Sequence, residues 1–417
     1  MVTLQISKLD KNIAGEIHLV GSKSIANRIL IIRALATEKF EILGLPTAKD
    51  TVTLNALLKQ TDNLVYDAGQ AGTTFRFLTA YLALQPQTHI LTGSERMKQR
   101  PIGKLVSALN ALGCDIEYIE NEGYPPLKIN PPTNHLKDEI TITADTSSQY
   151  ITALLLIAPT LPHGLKLHLE GDIVSRPYIE MTLALMKNFG VWSTWVGNTI
   201  SIEKQNYVAK NFTVEADWSA ASYYYALACI SDTCELKLKG VFENSLQGDS
   251  VIAKIAMQFG VQSIFGFEGV TLIKTEKKQP DIFEYDFKEC PDIAQTLAVV
   301  CGATGAQGLF SGLETLFIKE TDRVAALKTE LAKVGVSFSK LPKRFSAKSD
   351  KQFFMIEGTA AFADTPQFAT YDDHRMAMAF APLAMLHPIK IEEPKVVEKS
   401  YPEFWDDFSK IGFEVKH

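Results

Sequence analysis

Basic side chains stand where apolar helices ought to begin, and of all the residues in this sequence they are the best suited to chemistry. Lys23 and Arg28 lie at the start of SKSIANRILIIRALA, Arg76 in AGTTFRFLTAYLAL, Arg100 in SERMKQR and Arg375 in DDHRMAMAFAPLA. A helix N-terminus carries partial positive charge, so a cation beside it is unfavourable unless an anion lies between them. An anion site built on several converging N-termini explains the pattern economically. Of the 42 basic residues nine are arginines, and most of these sit in short polar segments beside apolar ones, whereas the lysines are scattered as solvating residues would be. Taken singly, other polar residues have plainer readings. Ser147 and Ser148 suit capping hydroxyls, Asp292 after Pro291 an N-cap, and Lys319 with Arg323 a solvated i,i+4 pair beside Glu320.

The elements that must position these residues fall into two series. One consists of nearly wholly apolar helices opening on a polar turn, at 22–36, 71–84, 146–158, 217–230, 291–303 and 372–384. Helices apolar around their circumference are buried. In the other series, apolar residues eight, four and one positions before a glycine recur at Gly113, Gly190, Gly260, Gly335 and Gly412, as in Leu105/Leu109/Leu112 and Phe404/Phe408/Ile411. That is one face of a helix closed by a residue free to take positive φ. Strand-like runs such as CDIEYI, VQSIF and VSFS follow, and residues 51–62 resemble a sixth such helix without the glycine. The chain therefore reads as six α/β repeats of about 75 residues each.

At 417 residues two domains are expected. A net charge of −6 argues against a general nucleic-acid surface. No segment reaches the roughly 18 apolar residues of a membrane span, and the first residues lack the apolar run of a signal peptide, so neither a membrane nor a secretory route is expected and the location expected is cytoplasmic. Five cysteines without a CxxC pair predict reduced, mostly buried thiols. His163 and His168 lack Cys or acidic company in the sequence, His374 reads as structural, and no metal site is expected. Gly-Ser-Lys-Ser at 21–24 lacks the GxxxxGK[ST] spacing of a P-loop.

Ten motifs in order, GSKSIANR (21–28), AGTTFRFL (71–78), GSERMKQRPIG (93–103), DTSSQYITALLL (145–156), VSRPY (174–178), EADWSAASY (215–223), PDIAQT (291–296), KETDRVAAL (319–327), YDDHRMAM (371–378) and PKVVEKSYPEFW (394–405), resemble the 5-enolpyruvylshikimate-3-phosphate synthase family along essentially the whole chain. The resemblance implies an α/β, two-domain inside-out barrel of six βαβαββ repeats, three per domain around parallel buried helices. It implies one domain over 21–214, mainly on the shikimate 3-phosphate side, and another over 1–20 plus 215–417, mainly on the phosphoenolpyruvate side, with a hinge near 20 and 215. By the same resemblance Lys23, Gly72, Thr73, Arg100, Gln149, Arg323, Arg375 and Lys399 hold phosphoenolpyruvate. Lys23, Ser24, Arg28, Ser147, Ser148, Gln149, Ser175, Tyr178, Asp292, Thr315 and Lys319 hold shikimate 3-phosphate, and Asp292, Glu320 and Lys23 are the catalytic set. Gln70 and Thr315 stand where the family commonly has Asn, and Phe77 where a Pro is frequent; altered geometry is expected there, with function kept.

The implied reaction moves the enolpyruvyl group of phosphoenolpyruvate to the 5-hydroxyl of shikimate 3-phosphate by addition and elimination, without metal or organic cofactor, in a monomer whose domains close on the two small-molecule substrates. A UDP-N-acetylglucosamine enolpyruvyl transferase is the nearest rival; it carries Asn after the first-motif Lys, where this chain has Ser24, and a reactive loop Cys, where this chain offers only Cys114 beside a capping Gly. A non-catalytic binding homologue is the other rival, against which the retention of Asp292, Glu320 and the matched cations speaks.

Overall fold

The computed structural model describes residues 2–61, 63–132, 135–144, 147–345 and 351–416. Its apolar helices are Lys23–Leu35, Gly72–Leu82, Ser148–Ile157, Trp218–Ile230, Ala294–Thr304 and His374–Phe380. Asp145 and Thr146, the first residues of one sequence motif, lie outside the described residues. In Trp218–Ile230 every residue except Ser219 is buried. Apolar residues on all sides leave these helices no solvated face, so they gather in the interior, where each fully buried large apolar side chain contributes about 1.5–3 kcal/mol. The second series comprises Lys49–Leu57, Gly103–Leu112, Arg176–Asn188, Ile252–Ala256, Arg323–Ala332 and Phe404–Lys410. The five glycines expected to close helices have φ of 110°, 83°, 72°, 76° and 91°.

One strand order recurs. Val65–Asp67 runs parallel to His89–Thr92, which is antiparallel to Leu127–Asn130, itself antiparallel to Asp115–Tyr118. Four other sheets repeat this arrangement. In the last of them the third place is filled by the amino-terminal strand Thr3–Ser7, between Ile389–Glu392 and Glu414–Lys416. The next strand, Asn12–His18, pairs in parallel with Thr233–Lys239, more than 200 residues on in the sequence. The sixth repeat is shortened: Ile42–Leu43 pairs only with Phe212–Thr213, and the chain passes from Lys49–Leu57 to Val65–Asp67 with no intervening hairpin among the described residues. That missing hairpin accounts for the missing glycine.

The chain forms two compact units, Ser22–Val214 and Met1–Gly21 with Glu215–His417. Each has its own hydrophobic core. In the first, Gly72–Leu82 packs on Ser148–Ile157 and Lys23–Leu35 touches both; in the second, Ala294–Thr304 packs between Trp218–Ile230 and His374–Phe380. Among the described residues no helix is long and apolar enough to cross a membrane.

Candidate active site

In the unit completed by the amino-terminal strands, the charged residues gather around Arg323. Asp322 caps helix Arg323–Ala332 by accepting from Ala325 N, which puts Arg323 at the first helical position. Only 1 % of Arg323 is exposed, so the reading of Lys319 and Arg323 as a solvated pair fails. Its Nε donates to Asp373 Oδ2 at 2.7 Å, Nη1 to Asp292 Oδ1 at 3.1 Å and Nη2 to Glu320 Oε2 at 2.9 Å. Arg375 Nη2 lies 3.0 Å from Asp292 Oδ2, Lys319 Nζ 3.7 Å from Asp292 Oδ1, and Lys399 Nζ 3.2 Å from Glu320 Oε1. Each such pair is worth on the order of 4 kcal/mol at an effective dielectric of about 20, so no member moves independently of the rest.

Asp292 lies within the short helix Pro291–Ile293, whose N-cap position is Cys290. Burial works against its ionisation, but Arg375, Lys319 and Arg323 more than offset this and hold the carboxylate far below its usual range. Burial lowers Lys319 despite the charge of Asp292. Arg323 also suffers from burial, and Asp373, Glu320 and Asp292 reverse it, so the guanidinium is always charged. Tyr223 OH accepts from Arg375 Nη1 at 3.4 Å, and burial pushes the phenol up to about 12. Ser219, the one unburied position of its helix, accepts from Arg375 Nη2 at 3.3 Å and donates in a short bond to the buried Asp249.

One turn of backbone brings Asp373 and Arg375 in. Tyr371 and Asp372 both have left-handed φ, 54° and 55°, a conformation that costs about 1–2 kcal/mol for a residue with a Cβ. Asp373 follows, fully buried; its Oδ1 caps the next helix by accepting from Arg375 N at 2.9 Å while its Oδ2 binds Arg323.

In the other unit, Lys23 Nζ donates to Asp50 Oδ2 at 3.1 Å. Ser147 is a cap, accepting from Gln149 N, so its plainer reading holds, and Ser148 is buried behind it. Gln149 joins two helices: its Oε1 accepts from Arg76 Nη1 at 3.1 Å and its Nε2 donates to Thr73 Oγ1 at 3.1 Å. Gly72 lies beneath two guanidiniums, since a Cβ there would fall 2.5 Å from Arg100 Nη1 and 2.6 Å from Arg76 Nη1. Ser175 precedes helix Arg176–Asn188 with φ 57°, a strained setting of the sort found at ligand sites, and its O accepts from Tyr178 N.

Arg28 is placed differently from the other cations. It is buried, donating to Ser24 O on its own helix and to Thr182 Oγ1, Thr152 Oγ1 and Tyr178 O, so three of its hydrogen bonds tie that helix to others. Burial lowers it to about 10. The ring of Phe77, which stands where the related family often has Pro, faces the Arg28 guanidinium at 5.7 Å. Gln70 is exposed at the turn before Gly72, and Thr315 Oγ1 is buried with no hydrogen-bond partner among the described residues.

Asp50, Asp249 and Asp373 were not singled out from sequence, nor were Ser219 and Tyr223, and Arg76 was seen only as a cation at a helix opening. Asp373 could have been found, as the residue before His-Arg at a helix start; Asp249 offered no pattern. His168 does have acidic company, between Thr199 Oγ1 at 2.9 Å and Glu139 Oε1 at 2.5 Å on neighbouring strands, but no group of three metal-ligating side chains occurs among the described residues. All five cysteines are free and buried.

The chain is similar to known proteins along its whole length. The model of the family EPSP synthase (3-phosphoshikimate 1-carboxyvinyltransferase) matches residues 8–62 and 57–408. The 3-phosphoshikimate 1-carboxyvinyltransferase of Bacteroides fragilis is 46 % identical over 97 % of both chains, and that of Vibrio campbellii is 36 % identical over 99 % of this chain and 100 % of its own. Among solved structures, EPSP synthase from Acinetobacter baumannii has a TM-score of 0.77 at 20 % identity and full coverage of both chains. The enolpyruvyl transferase NikO from Streptomyces tendae has a TM-score of 0.73 at 13 % identity, covering 100 % of this chain and 98 % of its own. These likenesses fix the fold as the inside-out α/β fold of the enolpyruvyl transferases. With its motifs in family order and its relatives matched from end to end, the chain belongs to the EPSP synthase (3-phosphoshikimate 1-carboxyvinyltransferase) family, a family of transferases.

Proposed function

We propose that this chain transfers the enolpyruvyl group of phosphoenolpyruvate to the 5-hydroxyl of shikimate 3-phosphate, releasing phosphate. The observation that carries the reading is the Arg323 cluster, in which two candidate catalytic carboxylates, Asp292 and Glu320, are bound to cations that suit a substrate carboxylate or phosphate. On this reading Arg323, Arg375 and Lys399, with Lys23, Gly72, Thr73, Arg100 and Gln149 of the other unit, take phosphoenolpyruvate. Ser24, Arg28, Ser147, Ser148, Gln149, Ser175, Tyr178, Thr315 and Lys319 take shikimate 3-phosphate, Arg28 chiefly by holding the backbone of Ser24 and Tyr178.

Chemistry proceeds by adding a proton to C3 of phosphoenolpyruvate while the 5-hydroxyl attacks C2 and loses its proton to Asp292. Phosphate then leaves C2 as C3 gives a proton back. As it stands, Asp292 is a poor base, because Arg375, Lys319 and Arg323 stabilise its charge. A substrate anion that draws those cations toward itself raises the basicity of Asp292, so the base is activated by the substrate it serves. Glu320, bound to Arg323 and Lys399, gains a proton by the same logic and supplies C3, with Lys23 as the other candidate donor. No step calls for a metal or organic cofactor. We place the protein in the cytoplasm as a monomer; five free buried thiols accord with a reducing compartment. The test is phosphate release from phosphoenolpyruvate with shikimate 3-phosphate, with UDP-N-acetylglucosamine, and with neither. Release only with shikimate 3-phosphate supports the reading; release with the nucleotide sugar, or with no acceptor, overturns it.

A further inference from the structure

Glu330 is a buried carboxylate with no part in the roles above, on the helix that carries Arg323 and seven residues beyond it, so both lie on one face. It accepts three hydrogen bonds, from Lys333 Nζ at 2.7 Å, Ala369 N at 3.0 Å and Tyr371 OH at 2.6 Å. These donors offset the cost of burying its charge. Two of them belong to the segment that leads into Asp373. That segment contains the left-handed pair Tyr371 and Asp372, and Asp373 N closes its turn on Thr370 O at 2.8 Å. Tyr371 does not adopt this conformation freely, and even Asp, which tolerates it better, does so as a single residue, so something outside the pair must hold two in succession. Glu330 grips the chain on both sides of Thr370, at Ala369 before the strained pair and at Tyr371, its first residue.

We propose that Glu330 is a positioning residue for Arg323: its hold on Ala369 and Tyr371 maintains the left-handed pair, and the pair sets Asp373 against the Arg323 guanidinium. The consequence for catalysis rests on the reading that Arg323 and Arg375 meet phosphoenolpyruvate. When the latch is released, Tyr371 and Asp372 return to negative φ and Asp373 leaves both Arg323 Nε and the Arg375 amide. Arg323 is then oriented by Asp292 and Glu320 alone.

Tyr371→Phe tests this gently, since it removes one hydroxyl from a residue that is 40 % exposed. The expected result is a rise of about tenfold in KM for phosphoenolpyruvate, with KM for shikimate 3-phosphate within about twofold of the parent. Adding Asp372→Gly, at an exposed position, supplies a residue to which left-handed φ costs nothing, and is expected to restore most of the loss. A merely structural role predicts similar losses for both substrates and no rescue, and that outcome overturns the proposal. A crystal structure of the Tyr371→Phe protein is independent of turnover. If both φ angles stay positive and Asp373 stays on Arg323, the latch is refuted whatever the kinetics; if they relax, it stands. Should the parent protein show no phosphate release dependent on shikimate 3-phosphate, the functional reading falls and the crystal structure alone decides the latch.

Discussion

The Asp292 carboxylate accepts from Arg323 and lies 3.0 Å from Arg375, and this sets what its replacement does. Asp292→Asn keeps the shape and removes the base, so kcat is expected to fall about 10²–10⁴-fold while the Kd of shikimate 3-phosphate changes little. Calorimetric titration beside steady-state kinetics checks this, and an equal loss in binding assigns Asp292 to substrate holding alone. Asp249 makes a prediction about stability. Its carboxyl is 3 % exposed and is pushed up to about 7 by burial and by the charge of Asp292. A carboxyl whose pKa is raised on folding favours the folded state at low pH, and that advantage is lost as pH rises from about 4 to about 7. Asp249→Asn lacks this loss, so its Tm is expected to exceed that of the parent at pH 8 and to converge with it near pH 4, as thermal melts across that range would show. Asp292 was legible in the sequence through its motif. Asp249 was not, because what perturbs it, Ser219 and Asp292, lies 30 and 43 residues away and only folding makes them neighbours.

At the scale of the element, Gly72 opens its helix at negative φ, so the need for glycine is spatial rather than conformational. A methyl group there meets the ends of two long side chains, which can swing aside, so Gly72→Ala should cost little stability; helix propensity even favours Ala by up to about 1 kcal/mol. The displaced Arg76 and Arg100 change the phosphoenolpyruvate side, and KM for that substrate is expected to rise about tenfold, equivalent to 1.4 kcal/mol of binding, with KM for shikimate 3-phosphate unchanged. An unchanged KM for both substrates refutes the placement of Arg100 beside phosphoenolpyruvate. The helices themselves were readable in advance, because a continuous apolar surface and a glycine closing each amphipathic helix are local signals. The shortened sixth repeat was only half readable. Its absent glycine showed in the sequence, but the two-residue strands Ile42–Leu43 and Phe212–Thr213 are too short to carry a period, and they pair across 170 residues. The surroundings of Arg28 were unreadable for a related reason. It lies in the same motif as Lys23, yet it falls on the inner side of the helix, where Thr152, Thr182 and the ring of Phe77 enclose it.

At the scale of the molecule, the repeat count was legible in the residues themselves, while its closure was implied only by the family resemblance. Strands Thr3–Ser7 and Asn12–His18 complete sheets whose other members lie beyond residue 232, and nothing in either strand names its partner. That closure makes Ser22–Val214 an insertion between Asn12–His18 and the helix Trp218–Ile230. The two chain segments that lead into and out of it are tied together within the other unit, by a bridge between Gly21 and Ala216 and by Asp217 N donating to Val20 O at 2.9 Å. The insertion thus begins and ends at one place, and it holds a hydrophobic core of its own, built from three apolar helices and the sheets over them. A segment with adjacent ends and a private core has what independent folding requires. Residues 22–214 expressed alone are therefore expected to unfold in one cooperative transition, with calorimetric and van't Hoff enthalpies in agreement. The remainder, with residues 21 and 215 joined by a short glycine linker, is expected to do the same, because the strands before the insertion already pair with those after it. A broad, non-cooperative melt of the 22–214 fragment shows instead that its core depends on the rest of the chain, and then a substitution in either unit must be expected to disturb both.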